Sequence, residues 1–300
     1  MKHLLKLLDL TKEEIVEILN LADQLKWENK NNIPHKVLEG KSLGMIFQKS
    51  STRTRVSFEV GMYQLGGQAL FLSPRDLQIG RGEPIQDTAR VLSRFLDGIM
   101  IRTFEQKEVE DLAKYGSIPI INGLTDFCHP CQVLADLMTI REYKGTFDGL
   151  KLCFVGDGNN MANSLIVGCL KVGMNVAIAC PNNHRPDETV LEFAKEYKDK
   201  CLITDDIRLA AKGADVLYTD VWASMGQEGE AELRKKEFKD FQINQELLDV
   251  ANDGCMVLHC LPAHRGEEIT DDVIESHLEI FDEAENRLHA QKAVLVKLLK

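Results

Sequence analysis

Residues 50–55, SSTRTR, concentrate two arginines and four hydroxyl side chains in a chain whose formal net charge is −11. A guanidinium binds phosphate oxygens in a bidentate manner, and the backbone amides and dipole at the start of a helix also favour an anion. Hydroxyl groups add neutral donors. The motif therefore predicts a phosphate or similar anion site, and a Ser or Thr helix cap followed by a solvated basic turn is the alternative.

Further residues with chemical potential follow the predicted strands. Ligands of open parallel sheets bind beyond the carboxyl ends of the strands, so the residues just after each strand are candidates. The first half of the chain offers Arg102 and HPCQ at 129–132. The second half offers GDGNN at 156–160, DVWASMG at 220–226 and HCLP at 259–262.

Two of these stretches allow other interpretations. GDGNNM at 156–161 begins like the dinucleotide fingerprint G-x-G-x-x-G, but Met161 stands at the third glycine position, and the next predicted strand ends without an acidic residue for a ribose. CHPC at 128–131 is compatible with a redox pair, with half of a zinc site, or with two buried cysteines beside a capping histidine. The sequence holds no second C-x-x-C and no H-x-x-x-H, which weakens the metal and redox interpretations.

The composition is that of an ordinary globular chain. Of its 300 residues, 44% are hydrophobic and 28% are charged, which suits about two domains. The acidic balance argues against nonspecific nucleic-acid binding. Lys6 and Asp9 interrupt the apolar run near the amino terminus, so we expect neither a signal peptide nor a membrane anchor. The eight scattered cysteines then indicate reduced thiols, and the expected compartment is the cytoplasm.

The order of the predicted elements favours an α/β fold with two domains. Thr11 and Glu14 form a capping box before an amphipathic helix, and short apolar runs then alternate with helical patterns of about 10 to 15 residues. This alternation predicts in each domain a parallel sheet flanked by helices. Because candidate residues follow strands of both halves, we expect the active site in the cleft between the domains. We place the domains at residues 1–142 and 143–282, and we expect a helix at 283–300 to pack back on the first. The strands are predicted at 43–47, 98–101, 118–121, 152–155, 176–179, 216–218 and 256–258.

Four motifs, in this order along the chain, resemble those of the aspartate/ornithine transcarbamoylase family. They are STRTR at 51–55, HPCQ at 129–132, D-x-x-x-S-M-G at 220–226 and HCLP at 259–262. The first two mark the broader family, whereas the last two match the members that use ornithine. With a matching late arginine, Arg287, the resemblance covers nearly the whole chain.

The resemblance implies roles for residues in both halves of the chain. It implies that one group binds carbamoyl phosphate: Ser51, Thr52, Arg53, Thr54, Gln78, Arg102, His129, Gln132, Cys260, Leu261 and Arg287. It implies that a second group binds ornithine: Asn160, Asp220, Ser224 and Met225. Among these, Cys260, Arg102 and His129 are the expected catalytic residues. The resemblance also implies a homotrimer, or a multiple of trimers, in which Gln78 reaches the site of a neighbouring subunit.

The chemistry of carbamoyl transfer agrees with these residue types. The reaction needs an amine nucleophile, donors for a developing oxyanion and a neutralised phosphate leaving group, and it requires neither a metal nor an organic cofactor. An amine with a pKa near 10.4 is protonated at pH 7, and holding it neutral costs about 4 to 5 kcal/mol. We expect Cys260, with Asp220 nearby, to accept the amine proton.

The charges of the second half favour ornithine over aspartate as the acceptor. Residues 220–232 contain no Lys or Arg for a second carboxylate, whereas Asp220 suits an α-ammonium and Asn160 an α-carboxylate. The expected products are citrulline and phosphate, in metabolism of the arginine or urea-cycle type. The alternatives are a transcarbamoylase for putrescine or an N-acylornithine, an NAD-dependent oxidoreductase, and an amino-acid-binding module without catalytic activity.

Overall fold

A computed structural model describes residues 1–75, 77–223 and 228–300 of the chain. These residues form two compact units. Unit 1 comprises Met1–Met138 with Asn286–Lys300, and unit 2 comprises Thr139–Glu285. Each unit contains one parallel β-sheet flanked by helices, which confirms the predicted fold class. In the described part of the chain, no helix is long and apolar enough to cross a lipid bilayer.

Unit 1 is built around a four-stranded parallel sheet. Its strands are β1 (Ser42–Phe47), β2 (Gln68–Leu72), β3 (Gly98–Arg102) and β4 (Ile120–Leu124), in the order β2-β1-β3-β4. Its helices are α1 (Lys12–Lys30), α2 (Thr52–Gln64), α3 (Ile85–Leu92) and α4 (Gln106–Tyr115). The central strands β1 and β3 are buried along nearly their whole length, as parallel strands covered on both faces must be.

The capping box predicted at the start of α1 is present. Thr11 Oγ1 accepts the N–H of Glu14 at 3.2 Å, and Glu14 Oε2 accepts the N–H of Thr11 at 3.0 Å. These bonds satisfy two amides that a helix start leaves without intrahelical partners. The helix then buries Ile15, Ile18 and Leu19 on one face, which confirms the predicted amphipathic helix.

Unit 2 is built around a five-stranded parallel sheet. Its strands are β5 (Lys151–Val155), β6 (Asn175–Ala179), β7 (Cys201–Thr204), β8 (Val216–Thr219) and β9 (Met256–His259), in the order β7-β6-β5-β8-β9. Its helices are α6 (Asn160–Val172), α7 (Glu188–Ala194), α8 (Ile207–Ala211), α9 (Ala231–Phe238), α10 (Gln245–Leu248) and α11 (Asp271–Ser276). Two further helices have residues in both units, namely α5 (Pro130–Lys144) and α12 (Glu279–Leu299).

In each sheet the strand order reverses at one point, and this point marks a candidate ligand site. The reversal lies between β1 and β3 in unit 1 and between β5 and β8 in unit 2. Loops that leave such a pair of strands diverge and open a crevice at the carboxyl ends. Residues 48–51 and Arg102 stand at this edge in unit 1, and Asp157 and Asp220 stand there in unit 2.

Two strands were not predicted from the sequence, and both lie at an edge of a sheet. β2 has most of its residues at least partly exposed, and β7 has four residues of which none is buried. Their apolar runs, ALFL at 69–72 and CLI at 201–203, are short, and short runs do not distinguish a strand from a helix segment. The expected strand at 118–121 is displaced to Ile120–Leu124.

A buried lysine ties α12 to two other parts of unit 1. Lys292 Nζ donates to Gln64 Oε1 at 2.8 Å and lies 2.5 Å from His35 Nε2. His35 Nδ1 lies 2.9 Å from the carbonyl oxygen of Ile33, so Nδ1 donates there and Nε2 accepts from the lysine. Burial lowers the pKa of Lys292 to about 8, and the carboxylate of Glu28 opposes this shift.

This shift predicts how stability depends on pH. Because the pKa of Lys292 is about 8 when folded, against 10.5 for the ordinary side chain, the unfolded chain binds more protons between these pH values. The cost of burying the charge is therefore fully present below pH 8 and disappears towards pH 10.5. Replacing Lys292 with methionine removes this dependence. The difference in unfolding free energy, methionine variant minus wild type, should fall by up to roughly 3 kcal/mol between pH 7 and pH 10.

The measurement is urea unfolding of both proteins at the two pH values. Lys297→Met on the same helix is the control, since Lys297 is partly exposed and forms a surface ion pair with Glu17. Its effect should be small and nearly independent of pH. An equal difference for Lys292→Met at both pH values would contradict the prediction.

Candidate active site

The motif at 51–55 begins helix α2 at the carboxyl edge of the sheet in unit 1. Ser51 caps the helix, because its Oγ accepts the N–H of Thr54 at 3.2 Å and donates to Thr54 Oγ1 at 3.1 Å. Thr54 is buried, Arg53 is half-buried and Thr52 is exposed. The helix cap that the sequence left as an alternative is therefore present. It coexists with Thr52 and Arg53 on a first turn that favours an anion.

The buried guanidinium of Arg287 connects two other predicted site residues of unit 1, Gln132 and Thr54. Arg287 on α12 donates from Nη1 to Gln132 Oε1 at 2.6 Å and from Nη2 to Thr54 Oγ1 at 3.2 Å. Gln132 also donates from Nε2 to Asp136 Oδ1 at 2.8 Å. These bonds fix the carboxamide of Gln132 and the hydroxyl of Thr54 with their oxygens towards Arg287. Because Ser51 and Arg287 both donate to Thr54 Oγ1, the Thr54 hydroxyl can offer its own proton to a ligand.

His129 stands in strongly cationic surroundings. Burial lowers the pKa of His129 well below its usual range, and the guanidinium groups of Arg287, Arg102 and Arg53 lower it further. The imidazole is therefore neutral near pH 7 and has one N–H to donate. The arrangement combines a neutral donor for a carbonyl oxygen with three positive charges for an anionic ligand. Arg102, at the end of β3, is itself buried.

Gln78 lies apart from this cluster. It is exposed on a 3-10 turn, Gln78–Arg81, which follows β2. Its predicted contact with the site of a neighbouring subunit stays a prediction.

The CHPC motif is a pair of buried thiols. Burial raises the pKa of Cys128 to about 12 and that of Cys131 to about 12. The thiolate is the reactive form of cysteine, so these raised pKa values disfavour a redox pair. The N–H of Cys128 donates to Thr125 Oγ1 at 3.2 Å, and the Asn122 side-chain amide donates to the Cys128 sulfur at 3.3 Å. The observed arrangement is the third interpretation for this motif, two buried cysteines.

In unit 2 the neighbouring strands β8 and β9 bring a carboxylate and a thiol together at their carboxyl ends. Cys260 Sγ donates to Asp220 Oδ1 at 3.0 Å. Asp220 also accepts from the N–H of Val221 at 2.8 Å and from Asn159 Nδ2 at 3.0 Å. These three donors are neutral, and the carboxylate is only 7% exposed. A buried carboxylate with neutral donors is suited to a cationic ligand group, because such a group compensates its charge.

Asn160 and its neighbour Asn159 open helix α6 beside this carboxylate. Asn160 is the first residue of the helix and is half-buried. Asn159 is the helix cap, and its Oδ1 accepts the N–H of Met161 at 2.9 Å and of Ala162 at 3.3 Å. This role of Asn159 was not predicted from the sequence, although Asn is a preferred residue at helix caps. By capping the helix and donating to Asp220, Asn159 orients the carboxylate.

Two predicted ornithine-binding residues, Ser224 and Met225, lie outside the described residues. Helix α9, which follows them, is attached to the sheet edge by Arg234. Arg234 Nη1 donates to Asp157 Oδ2 at 2.7 Å and to the carbonyl oxygen of Trp222 at 3.0 Å. Arg234 stands in the charged stretch ELRKKEFKD, which suggests a solvated segment, yet it is 7% exposed. A partner 77 positions away in the chain leaves no local signal for such burial.

The glycine-rich turn at 156–158 owes one of its glycines to close packing within unit 2. A Cβ on Gly158 would lie 2.4 Å from the backbone of both His184 and Arg185, and the N–H of Gly158 already donates to His184 O at 2.9 Å. In a dinucleotide site this amide and this space would serve the pyrophosphate. Packing against residues 184 and 185 therefore explains why position 158 is a glycine. The glycine-rich turn no longer supports a dinucleotide site.

One group of side chains in the described residues has metal-ligand spacing. His264, Glu267 and Glu268 each place a potential ligand atom within 4.8 Å of the others. Lys235 Nζ, however, lies 2.9 Å from Glu267 Oε1, and Glu268 Oε1 is engaged by His259 at 3.1 Å. These partners make the group an ion-pair and hydrogen-bond cluster of the protein itself.

Comparison with known proteins matches the two halves of the chain to two domains. Residues 2–142 match the domain described as "Aspartate/ornithine carbamoyltransferase, carbamoyl-P binding domain". Residues 148–298 match the domain described as "Aspartate/ornithine carbamoyltransferase, Asp/Orn binding domain". Together these matches cover nearly the whole chain.

Individual relatives agree over their full length. The chain is 57% identical over 304 residues to an ornithine carbamoyltransferase of Thermococcus kodakarensis, covering 99% of this chain and 96% of that protein. Solved structures are similar as well. The ornithine carbamoyltransferase of Pyrococcus furiosus has 56% sequence identity to this chain and a TM-score of 0.95, and the match covers 99% of this chain and 97% of the other. The anabolic enzyme of Campylobacter jejuni has 44% identity and a TM-score of 0.93, covering 99% of each chain.

Proposed function

This chain belongs to the aspartate/ornithine carbamoyltransferase family, and from that premise we propose that it carbamoylates L-ornithine. The carbamoyl group moves from carbamoyl phosphate to the side-chain amine, and the products are L-citrulline and phosphate. The observation that carries this proposal is the contact of Cys260 Sγ with Asp220 Oδ1 at 3.0 Å. It places a thiol beside a buried carboxylate, as an amine substrate that must lose a proton requires.

In unit 1 the proposed ligand is carbamoyl phosphate. Arg53 and the first turn of α2 bind the leaving phosphate, as a helix start and a guanidinium do for anions. Arg102 and the neutral imidazole of His129 donate to the carbonyl oxygen, where negative charge develops in the transition state. Arg287 holds Thr54 and Gln132 in place for the carbamoyl group. We propose that residues 1–142 together with residues 283–300 form the carbamoyl phosphate-binding domain.

In unit 2 the proposed ligand is ornithine. Asp220 pairs with the α-ammonium and Asn160 binds the α-carboxylate, with Ser224 and Met225 as further contacts. Cys260 and Leu261 lie beside the reacting amine. We propose that residues 143–282 form the ornithine-binding domain. The buried charge of Asp220 favours ornithine over an N-acylornithine, which lacks the α-ammonium, and over aspartate, which brings a second carboxylate.

The experiment that tests this proposal offers the purified chain carbamoyl phosphate with four acceptors. Ornithine, putrescine, N-acetylornithine and aspartate are supplied separately and in competition, and both phosphate and carbamoylated product are measured. We expect citrulline, with ornithine preferred at least about 100-fold over each other acceptor. The Arg102→Met variant, purified in the same way, controls for a contaminating host enzyme.

The outcomes separate the alternatives. A preference for putrescine or N-acetylornithine would move the chain to a related transcarbamoylase. Ornithine binding without product would indicate a binding module, and saturable NAD binding with no citrulline would revive the oxidoreductase. We also propose a role in arginine biosynthesis, which is supported by relatives whose names include "anabolic". The proposed compartment is the cytoplasm, in keeping with cysteines that are all free thiols.

We further propose a homotrimer or a multiple of trimers. Unit 1 exposes apolar side chains on α2 and β2 that a monomer would leave in water. Val56, Val60 and Tyr63 are 52%, 37% and 79% exposed, and Leu70 and Phe71 are 39% and 40% exposed. Such a face is typical of a protein interface. Light scattering should give a mass of about three times 33.8 kDa or a multiple of it, and an active monomer would contradict the proposal.

A further inference from the structure

His259, the last residue of β9, uses both ring nitrogens within unit 2. The side chain is fully buried. Its Nδ1 accepts the N–H of Leu261 at 2.8 Å, and its Nε2 lies 3.1 Å from Glu268 Oε1. A ring nitrogen that accepts an N–H carries no proton, so the proton of the neutral ring is on Nε2 and is donated to Glu268.

The residue that Nδ1 holds has an uncommon backbone conformation. Leu261 has φ of 54°, in the left-handed region that a branched side chain rarely adopts. Such a conformation persists only when the surrounding structure imposes it. The hydrogen bond from the Leu261 N–H to His259 spans two residues and closes a turn around Cys260. The turn therefore sets both the direction of the Cys260 thiol and that of the Leu261 carbonyl.

Glu268 in turn holds the ring of His259. The carboxylate is fully buried, and its Oε1 also accepts the N–H of His264 at 2.5 Å. The backbone of Glu268 is fixed as well, because its carbonyl oxygen accepts the N–H of Ile243 at 2.9 Å. An orienting carboxylate of this kind fixes which nitrogen carries the proton and how the ring is turned.

We propose that His259 is a positioning residue for the carbamoyl transfer, acting through the backbone of Leu261, and that Glu268 fixes its orientation. Neither group moves a proton during the reaction. The inference rests on the proposed function and adds two residues to it. It is distinct from a proton relay through His259, because Nδ1 is occupied as an acceptor by the protein's own backbone and Nε2 faces Glu268.

Two substitutions of His259 separate the two hydrogen bonds. In His259→Asn, the side-chain oxygen takes the place of Nδ1, and Asn commonly accepts from the N–H two residues later. In His259→Gln, the longer amide reaches towards Glu268 and leaves the Leu261 N–H without its acceptor. Positioning predicts that the Asn variant keeps kcat for citrulline within about fivefold, whereas the Gln variant loses about tenfold or more.

Thermal unfolding of the two variants distinguishes a positioning role from a merely structural role of His259. The Asn variant deprives the buried Glu268 of one partner, so its Tm should fall more than that of the Gln variant. Activity and stability therefore change in opposite order between the two variants. A structural role alone predicts that the less stable Asn variant is also the less active. A relay predicts that both variants lose activity to a similar extent, since neither amide can exchange a proton.

Glu268→Gln keeps the test decisive if either His259 variant fails to fold. Gln preserves an acceptor oxygen for His259 and His264 but removes the charge that a relay would need. We expect kcat within about fivefold of wild type and an unchanged pH profile. Loss of activity with a shifted profile would overturn the positioning role, as would a fully active His259→Gln. A wild-type chain that makes no citrulline would instead overturn the proposed function, and the inference with it.

Discussion

Replacing Arg287 with lysine is expected to lower kcat/KM for carbamoyl phosphate by about 100-fold. The guanidinium joins Gln132 Oε1 at 2.6 Å and Thr54 Oγ1 at 3.2 Å from two different nitrogens. An ammonium is a compact point donor that cannot reproduce this planar fork. One of the two buried oxygens would lose its donor, and the side chain that carries it would no longer be fixed for the ligand.

The lysine variant isolates geometry from charge. Because the positive charge is kept, the pKa of His129 should stay lowered by burial and by the cations around it. The KM for ornithine should change little, since Arg287 contacts residues of unit 1 in this site. Arg90→Lys is the matched control, because Arg90 is exposed, forms an ion pair with Asp87 on its own helix and lies over the ring of Tyr115, away from the predicted site residues. Steady-state kinetics with each substrate varied would measure both effects, and an equal loss in the two variants would refute the assignment.

The starts of helices in the candidate site could be predicted from the sequence because the interactions that cause them are local. Ser51 caps α2 through Thr54, three positions later, and the capping box of α1 joins Thr11 to Glu14. Strand ends were also predictable to within a residue or two where the strands are central and apolar. This is why Arg102 and Asp220 were expected where the structure places them, next to the reversal of the strand order.

Long-range partners could not be predicted in the same way. Arg287 meets Thr54 across 233 positions of the chain, and without the family resemblance its sequence surroundings indicate only a helix. Arg234 and Glu268 stand in charged stretches of the sequence, yet both are buried. Their burial depends on partners such as Asp157 and His259, which only the folded sheet brings near. The different positions of Asn159 and Asn160 likewise became clear only in the structure, where Asn159 caps helix α6 and Asn160 is its first residue.

The second large effect is expected at Cys260, whose replacement by alanine should lower kcat for citrulline about 100-fold or more. The incoming amine must lose a proton, and the thiol lies 3.0 Å from Asp220 Oδ1. We propose that the amine proton passes to the sulfur as the thiol proton passes to the carboxylate, so that the amine becomes neutral, the thiol is regenerated and Asp220 gains one proton. Alanine removes this route and leaves only solvent to take the proton.

The pH profile tests this route more sharply than the rate alone. With the route intact, the wild-type turnover number should decrease little towards pH 6. The turnover number of Cys260→Ala should instead increase as the pH rises to 9, because a larger fraction of the amine is then already neutral in solution. Cys260→Ser, which keeps an exchangeable proton, should lie between the two. Cys201→Ala is the control, since Cys201 lies on the edge strand β7 of the same unit. If Cys260→Ala kept near-normal turnover from pH 6 to pH 9, Cys260 would have no part in taking the proton, and its contact with Asp220 would serve only to orient the carboxylate.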